Sequence, residues 1–253
     1  MEITEAVLAA LGEAHTDRST SELAAQTNLP EAAVLAALAS LADAGQVTAV
    51  SGSAWVSGAA WNRLVATATK TLETFHRRSP YKAALSYGDL RAALQKAATV
   101  REGDALFNRL AERGVLARTP AGVTLPGFAI VLPPKWEDAA EKIVPVFVGG
   151  GLTDPPWHGN FQAHYPRDVP VPALLDALCE RGELTRLSPD LYVATESVTA
   201  AEVAVSDMAA DKPFTIGAVR DATGASRRIV IALLEYWDKR GVTVRDGDTR
   251  RFA

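Results

Sequence analysis

Residues 226–253 read SRRIVIALLEYWDKRGVTVRDGDTRRFA, a helix-like stretch, a glycine and a short alternating stretch. Large apolar residues stand 11, 7 and 4 positions before Gly241, at Val230, Leu234 and Trp237. These offsets place them on one face of a helix, and a glycine in the left-handed conformation commonly ends a helix. Alternating residues around an Asp-Gly pair then predict two strands joined by a tight turn. The stretch therefore predicts an amphipathic helix followed by a β-hairpin.

The same pattern occurs three more times along the chain. The stretches are VLAALASLADAGQVTAV at 34–50, GDALFNRLAERGVLART at 103–119 and VPALLDALCERGELTRL at 171–187. Their glycines and that of the last stretch are Gly45, Gly114, Gly182 and Gly241. Self-similarity at a nearly constant period of this kind indicates a tandem array of small units.

Each repeat is preceded by further helix-forming sequence with capping residues. Ser19 or Thr20, Ser86 and Thr215 are the candidate helix N-caps, since their side chains can accept a hydrogen bond from the first turn. Three helices followed by a hairpin form a winged-helix unit. We therefore predict a mainly α fold with small β-hairpins (α+β), built as four tandem winged-helix domains. The predicted domains are residues 1–60, 61–130, 131–197 and 198–253. The second helix of the third domain has to come from PPWHGNFQAHYPRDVP, 155–170.

Composition limits the class of protein. The 253 residues are 48% hydrophobic and 22% charged, with one cysteine and a formal net charge of −4. These values are typical of a globular protein, and a single cysteine permits no internal disulfide. No run of about 18 apolar residues could span a membrane, and the first residues lack the basic segment of a secretory signal. We expect a cytoplasmic protein.

Candidate catalytic and metal sites are sparse. Gly149-Gly150-Gly151 is followed by Leu-Thr-Asp-Pro-Pro rather than the Lys-Ser/Thr of a phosphate-binding loop, so a helix cap and turn is expected there. His158 and His164 lie near Asp154 and Asp168 but lack the spacing of a zinc site.

Two further residues are predicted to be structural. Cys179 follows an apolar stripe without an evident His-Asp pair, and a packed thiol is expected. His76 lies near a helix end, where a cation is favourable. We predict no catalytic residue, no metal site and no cofactor.

The C-terminal segment 226–253 differs from the rest of the chain in charge. It holds seven Lys or Arg against four acids, a net charge of +3, whereas the segment 1–225 holds 19 against 26, a net charge of −7. Arg227 and Arg228 follow the predicted N-cap Ser226, where cations oppose the helix dipole and a bound phosphate would offset that cost. The candidate residues for contact with the phosphates of a nucleic acid are Arg220, Ser226, Arg227, Arg228, Arg245, Gly247, Asp248, Arg250 and Arg251.

The last unit resembles the final winged-helix domain of the bacterial selenocysteine-specific elongation factor. The matching residues are Arg220-Asp221, Ser226-Arg227-Arg228, Leu234-Glu235-Tyr236, Asp238, Gly241, Thr243, Arg245, Gly247-Asp248 and Arg250. FHRRSP at 75–80 with SYGDLRAAL, and GGGLTDPP at 149–156, are similar to the same family. The chain departs from the family at Arg228, where a lysine is usual, and Arg offers a planar fork rather than a point charge.

The resemblance implies the C-terminal, mRNA-binding part of a factor whose GTPase part delivers selenocysteyl-tRNA at UGA codons. The last domain would bind the selenocysteine insertion hairpin of a selenoprotein mRNA, and the first three would act as an acidic spacer. GTP would bind the missing domain. Partners would be the hairpin and, through the full-length factor, the ribosome, with no membrane contact and a monomeric chain.

Two alternatives stay open at the level of sequence. A winged-helix transcription regulator would place its third helix in the DNA major groove. The middle of this helix, however, is apolar or acidic and poor in base-reading side chains. A protein–protein scaffold would use the hairpins to bind partners without any nucleic acid.

Overall fold

The computed structural model describes residues 2–12, 16–157, 159–162, 165, 168–210 and 212–253, with residues 160 and 162 described in backbone only. The chain divides into two compact units, Met1–Ala129 and Ile130–Ala253. Helices predominate in the described residues, and the sheets are small and antiparallel, so the predicted class of fold is confirmed.

The first unit contains two successive groups of helices, each ending in a hairpin. Its helices are α1 Ile3–Leu11, α2 Thr20–Thr27, α3 Glu31–Asp43, α4 Gly58–Arg78, α5 Tyr87–Gln95 and α6 Gly103–Glu112. Its strands are β1 Arg18–Ser19, β2 Val47–Ala49, β3 Ala54–Ser57, β4 Ala117–Thr119 and β5 Gly122–Thr124. The strands form one three-stranded sheet in the order β1-β3-β2 and one two-stranded sheet, β4-β5.

The second unit repeats this arrangement of elements. Its helices are α7 Pro134–Gly150, α8 Gly159–Gln162, α9 Val171–Glu180, α10 Thr195–Ala209, α11 Ile216–Thr223 and α12 Arg227–Lys239. Its strands are β6 Leu184–Ser188, β7 Leu191–Ala194, β8 Phe214–Thr215, β9 Thr243–Asp246 and β10 Thr249–Phe252. The sheets are β6-β7 and a three-stranded sheet in the order β8-β10-β9. Among the described residues of 155–170, the predicted helix is the short α8.

The four repeat glycines end their helices as predicted. Gly45, Gly114, Gly182 and Gly241 have φ angles of 71°, 70°, 83° and 71°, in the left-handed region that a side chain would strain. The apolar residues four positions before them are buried, from Leu41 at 4% exposed to Trp237 at 0%. One local pattern therefore both stops each helix and directs its apolar face into the core.

The predicted N-caps are also confirmed by hydrogen bonds. The hydroxyl of Ser19 accepts from the Glu22 amide at 3.1 Å, and that of Ser86 accepts from the Asp89 amide at 3.1 Å. Thr215 accepts from the Ala218 amide at 3.3 Å. Such caps satisfy amides that have no partner within the helix and contribute about 1 kcal/mol each.

An ion-pair network joins the two helical groups of the first unit. The Arg101 guanidinium donates to both carboxylate oxygens of Glu22, at 2.7 and 2.8 Å, and to Oδ1 of the buried Asp17 at 3.2 Å. Its hydrogen bonds to Glu22 lower the pKa of that carboxyl to about 2. The network ties α2 and the segment before it to the segment before α6.

His76 is buried rather than a surface cation, which corrects the prediction that its charge acts on the helix end. Its side chain is 5% exposed, and its ring stacks on Phe128 with centroids 3.5 Å apart. The Leu125 amide donates to Nε2 at 3.4 Å, so this nitrogen is an acceptor. Burial lowers the pKa of His76, although the backbone of Lys82 acts in the opposite direction. The expected structural role is confirmed, with a neutral ring.

Candidate nucleic-acid interface

Helix α12 presents two arginines to solvent at its N-terminus. Ser226 occupies the N-cap position with extended backbone, but its side chain makes no capping hydrogen bond. Arg227 and Arg228 are exposed, and within the described part of the chain neither has an ion-pair partner. The first-turn amides, the Ser226 hydroxyl and two guanidinium groups therefore meet at one helix end.

The opposite face of α12 fixes this end in position. Ile229, Val230, Leu233, Leu234 and Trp237 are 6% exposed or less and belong to one apolar cluster of the second unit. Burying each large apolar side chain contributes about 1.5–3 kcal/mol. The arginines stand on a helix whose rotation is set by this packing.

Arg220 lies near the end of α11. Gly224 ends that helix in the left-handed conformation, with φ of 68°, and its amide donates to the Arg220 carbonyl at 2.8 Å. The Arg220 guanidinium is paired with Asp221 at 3.0 Å, and its side chain is 55% exposed. Arg220 is therefore accessible, with part of its charge already neutralised.

The hairpin β9-β10 has an ordered tip. Arg245 donates from Nε to the Gly247 carbonyl at 3.0 Å, and the Thr249 hydroxyl donates to the Asp246 carbonyl at 3.0 Å. Gly247 has φ of 57°, which the tight turn requires. Arg245, Gly247 and Asp248 are exposed.

Arg250 does not face solvent, which corrects its assignment as a phosphate contact. Its side chain is 7% exposed, and Nε donates to both Asp238 oxygens, at 2.9 and 3.2 Å. The Thr243 hydroxyl donates to the same carboxylate at 2.6 Å. Arg250 therefore holds the hairpin against the C-terminal end of α12, and its guanidinium is engaged in an ion pair with Asp238.

Arg251 lies on the other face of the hairpin. Residues alternate between faces along a strand, and Arg251 pairs in register with Val244, which is 42% exposed. Arg251 is itself exposed. The predicted contact residues that reach solvent are thus Arg220, Ser226, Arg227, Arg228, Arg245, Gly247, Asp248 and Arg251.

This arrangement is suited to phosphate groups. Cations at a helix N-terminus are unfavourable with the dipole, so Arg227 and Arg228 cost stability in the free protein. An anion there is favoured by the dipole, by the free amides and by the guanidinium forks together. A bound phosphate would therefore offset the unfavourable interaction of the two arginines with the helix dipole.

The other candidate sites have structural explanations. Helix α7 ends at Gly150. Gly151 caps it with φ of 54°, and its amide donates a hydrogen bond to the Phe147 carbonyl at 3.0 Å, which confirms the expected cap. Burial raises the pKa of the Cys179 thiol to about 12, which agrees with a packed thiol. Asp168 is paired with Lys135.

The described residues contain no group of three or more His, Cys, Asp or Glu able to hold a metal, and His158 and His164 lie outside them. Nor do these residues include a helix with the length and hydropathy of a bilayer span.

Two segments match a family described as "Elongation factor SelB, winged helix". Residues 69–125 match the second SelB winged-helix domain, and residues 208–252 match the third. The curated selenocysteine-specific elongation factor of Desulfomicrobium baculatum is 25% identical over 181 residues, which are 71% of this chain. The alignment covers 28% of that relative's length.

Two solved structures are also similar. One is the mRNA-binding domain of elongation factor SelB from E. coli in complex with SECIS RNA, with 21% identity and a TM-score of 0.40 over 48% of this chain and 98% of that one. The other is a bacterial selenocysteine-specific elongation factor, with 18% identity and a TM-score of 0.41 over 82% of this chain and 32% of that one.

The second of the family segments contains all of α11, α12 and the hairpin described above. The first contains residues 69–78 of α4 and all of α5, α6 and the hairpin β4-β5. Residues 69–125 and 208–252 are therefore winged-helix domains of the SelB type, and the chain is similar to the C-terminal region of the selenocysteine-specific elongation factor SelB.

Proposed function

We propose that this chain binds a hairpin of a selenoprotein mRNA through residues 208–252, as the mRNA-binding part of a selenocysteine-specific translation elongation factor. The observation that carries the proposal is the pair Arg227 and Arg228, exposed at the start of α12 within a SelB-type domain. The role of this chain is recognition, and the delivery of selenocysteyl-tRNA would be the work of the GTPase part.

The exposed residues would contact different parts of the RNA hairpin. Arg227 and Arg228, with the first-turn amides and the Ser226 hydroxyl, would hold phosphates of the stem. Arg220, Arg245 and Arg251 would add backbone contacts, and the tip at Gly247 and Asp248 would approach the loop. The deep, narrow major groove of A-form RNA cannot be read by a helix, so sequence would be recognised at an unstacked loop or bulge base.

Arg250 would contribute to the same function indirectly. By pairing with Asp238 it sets the position of the hairpin relative to α12. The wing arginines would otherwise be carried on a two-stranded ribbon, which is only marginally stable by itself.

The proposal extends to the domain organisation and the partners of the whole chain. The repeated order of three helices and a hairpin supports four tandem winged-helix domains, at 1–60, 61–130, 131–197 and 198–253. We propose a cytoplasmic monomer that needs no cofactor of its own, with GTP bound by another domain of the full factor and the ribosome reached through that factor.

The solvent face of α12 argues against a DNA-reading helix. Beyond Arg227 and Arg228, the exposed residues of this helix are Glu235 and Lys239. Direct readout of the DNA major groove relies on Arg, Lys, Asn or Gln side chains along the inserted face. A carboxylate in the middle of that face would meet the phosphate backbone unfavourably.

The test is fluorescence anisotropy with a selenoprotein mRNA hairpin from the source organism, the same hairpin with a scrambled loop, and a DNA duplex. We expect tight binding to the native hairpin and weak binding to the other two. Arg227→Glu/Arg228→Glu should weaken hairpin binding and reduce the slope of log K against log salt by roughly 1.4 to 1.8, for two lost phosphate contacts.

Lys239→Glu/Arg240→Glu is the matched control, because it makes the same charge change at the other end of α12. This variant should bind nearly as well as the native chain. Equal binding of all three ligands would leave only a generic basic surface. An Arg227→Glu/Arg228→Glu variant that keeps full hairpin affinity would contradict the proposal and favour a protein-binding scaffold.

A further inference from the structure

The acidic remainder of the chain contains a strongly basic segment. Residues 63–96 hold seven Lys or Arg against two acids, a net charge of +5, whereas residues 1–57 hold one against seven, a net charge of −6. The predicted spacer is acidic in its summed charge but basic over residues 63–96. This segment includes most of α4 and all of α5, in the first compact unit.

Four cations of this segment are exposed without an acid to neutralise them. Lys70, Arg77, Arg78 and Lys82 have no ion-pair partner among the residues that the structure describes. Other arginines of the unit are engaged, such as Arg101 with Asp17 and Glu22. Arg91 and Lys96 of the segment are likewise exposed and without an ion pair in the described residues, but only Lys70, Arg77, Arg78 and Lys82 lie on α4 or just after its end.

A cleft of about 390 Å³ opens beside two of these side chains. Lys70 and Arg78 line it together with the Ser79 side chain, and Phe75 and Leu85 supply apolar surface. The one acid in the lining, Asp89, already accepts a hydrogen bond from the Ser86 hydroxyl at 2.6 Å. Clefts of roughly 300–1,000 Å³ with apolar walls and a few polar groups are typical of ligand sites.

Helix stability accounts for only part of this charge. Cations in the last turn of a helix are favourable with the dipole, which explains Arg77 and Arg78. The dipole effect falls off within one turn, and Lys70 lies two turns earlier. Lys82 follows the helix end. Lys70 and Arg78 share the lining of the cleft, and Arg77 and Lys82 lie outside that lining but close to it in sequence.

We infer that this cleft is a second RNA-binding site, separate from the site at the start of α12. The four cations would hold phosphates of a single-stranded segment, and the surface of Phe75 and Leu85 would receive one base. Non-specific single-strand sites combine a basic surface with an aromatic or apolar platform in this way. The choice of RNA over DNA rests on the proposed function, while the site itself does not.

The test uses the full chain carrying Arg227→Glu/Arg228→Glu, which removes the proposed hairpin site, and a fluorescent 12-nucleotide oligouridylate. We expect measurable binding that Arg77→Glu/Arg78→Glu abolishes at physiological salt. At low salt the slope of log K against log salt should fall by roughly 1.4, for two contacts to a single strand. Unlabelled oligouridylate should displace the probe, and tripolyphosphate at equal phosphate concentration should not.

Lys96→Glu/Arg113→Glu is the matched control, since both residues are exposed C-caps of helices in the same unit and outside the cleft. Equal loss in this control, or no loss in Arg77→Glu/Arg78→Glu, would overturn the inference. Equal displacement by tripolyphosphate would overturn the base-binding platform. If the hairpin site fails its own test, the effect of Arg77→Glu/Arg78→Glu can still be measured, so the two proposals fail separately.

Discussion

Arg250 and Arg251 are adjacent on β10, but Arg250 is buried and Arg251 is exposed. Substituting each in turn therefore separates a stabilising residue from an RNA-contacting residue. Arg250→Ala should destabilise the domain by about 1.5–3 kcal/mol, because hydrogen bonds to a charged partner are lost and Asp238 is left half-satisfied. It should leave the salt slope of RNA binding unchanged. Arg251→Ala should change stability by less than about 0.5 kcal/mol and lower the slope by roughly 0.7 to 0.9. Urea unfolding and anisotropy measure the two effects, and an Arg250→Ala variant of native stability would contradict this division.

The same pair shows what a sequence conceals about single residues. That Arg220, Arg227, Arg228 and the hairpin tip reach solvent could be predicted, since caps and turns are local features. The burial of Arg250 could not. In a short strand the face of each side chain depends on the register with its neighbour, and here Arg250 pairs with Arg245 and reaches back to Asp238 on α12. A one-residue shift would exchange the roles of Arg250 and Arg251.

At the scale of elements, the buried end of α4 makes the first unit sensitive to mild acid. His76 has a lowered pKa in the folded state, so the unfolded chain binds more protons as pH falls through the ordinary value of 6.5. Stability should therefore fall between about pH 7 and 5, and His76→Gln should remove part of this dependence. Urea midpoints followed by tryptophan fluorescence at pH 7.5, 6 and 5 test it.

Glu22 provides the matched control at a different pH. Its pKa of about 2 means that its ion pair with Arg101 stabilises the fold above the ordinary value of 4.5 and is lost as pH falls from there towards 2. Glu22→Gln should thus change the acid limb below pH 4.5 and leave the His76 effect intact. Parallel pH profiles for the native chain and His76→Gln would show that the imidazole does not titrate in this way.

Element boundaries were predictable wherever one short pattern sets them. Glycine stops, N-caps and apolar spacing act over a few turns of helix at most, and the structure confirms them at Gly45, Ser86 and Trp237. The bounds of α8 could not be predicted in this way, because so short a helix between prolines has no hydrophobic periodicity. His76 was assigned to the wrong environment for a related reason. Its burial comes from Phe128, which is distant in sequence and which no local pattern reveals.

At the scale of the whole molecule, charge is distributed in alternating blocks. Residues 1–57 carry −6 and residues 58–129 carry +6, followed by −7 over residues 130–225 and +3 over residues 226–253. Dividing the sequence only at residue 226 averages the first three blocks and hides the second. The charge of each repeat, taken separately, shows the basic surface of α4 from sequence alone.

Two compact units with separate apolar clusters should also respond separately to damage. Leu72 is fully buried in a cluster of the first unit, and Leu233 is fully buried in a cluster of the second. Either residue changed to alanine should cost about 2–5 kcal/mol in its own unit. By hydrogen exchange with mass spectrometry, Leu72→Ala should lose protection within residues 1–129 and Leu233→Ala within residues 130–253. Hairpin binding should survive the first change and weaken with the second, because only the second loosens the packing that holds Arg227 and Arg228. Loss of protection along the entire chain in both variants would mean that the units unfold as one, and the hairpin site would then depend on residues far from it.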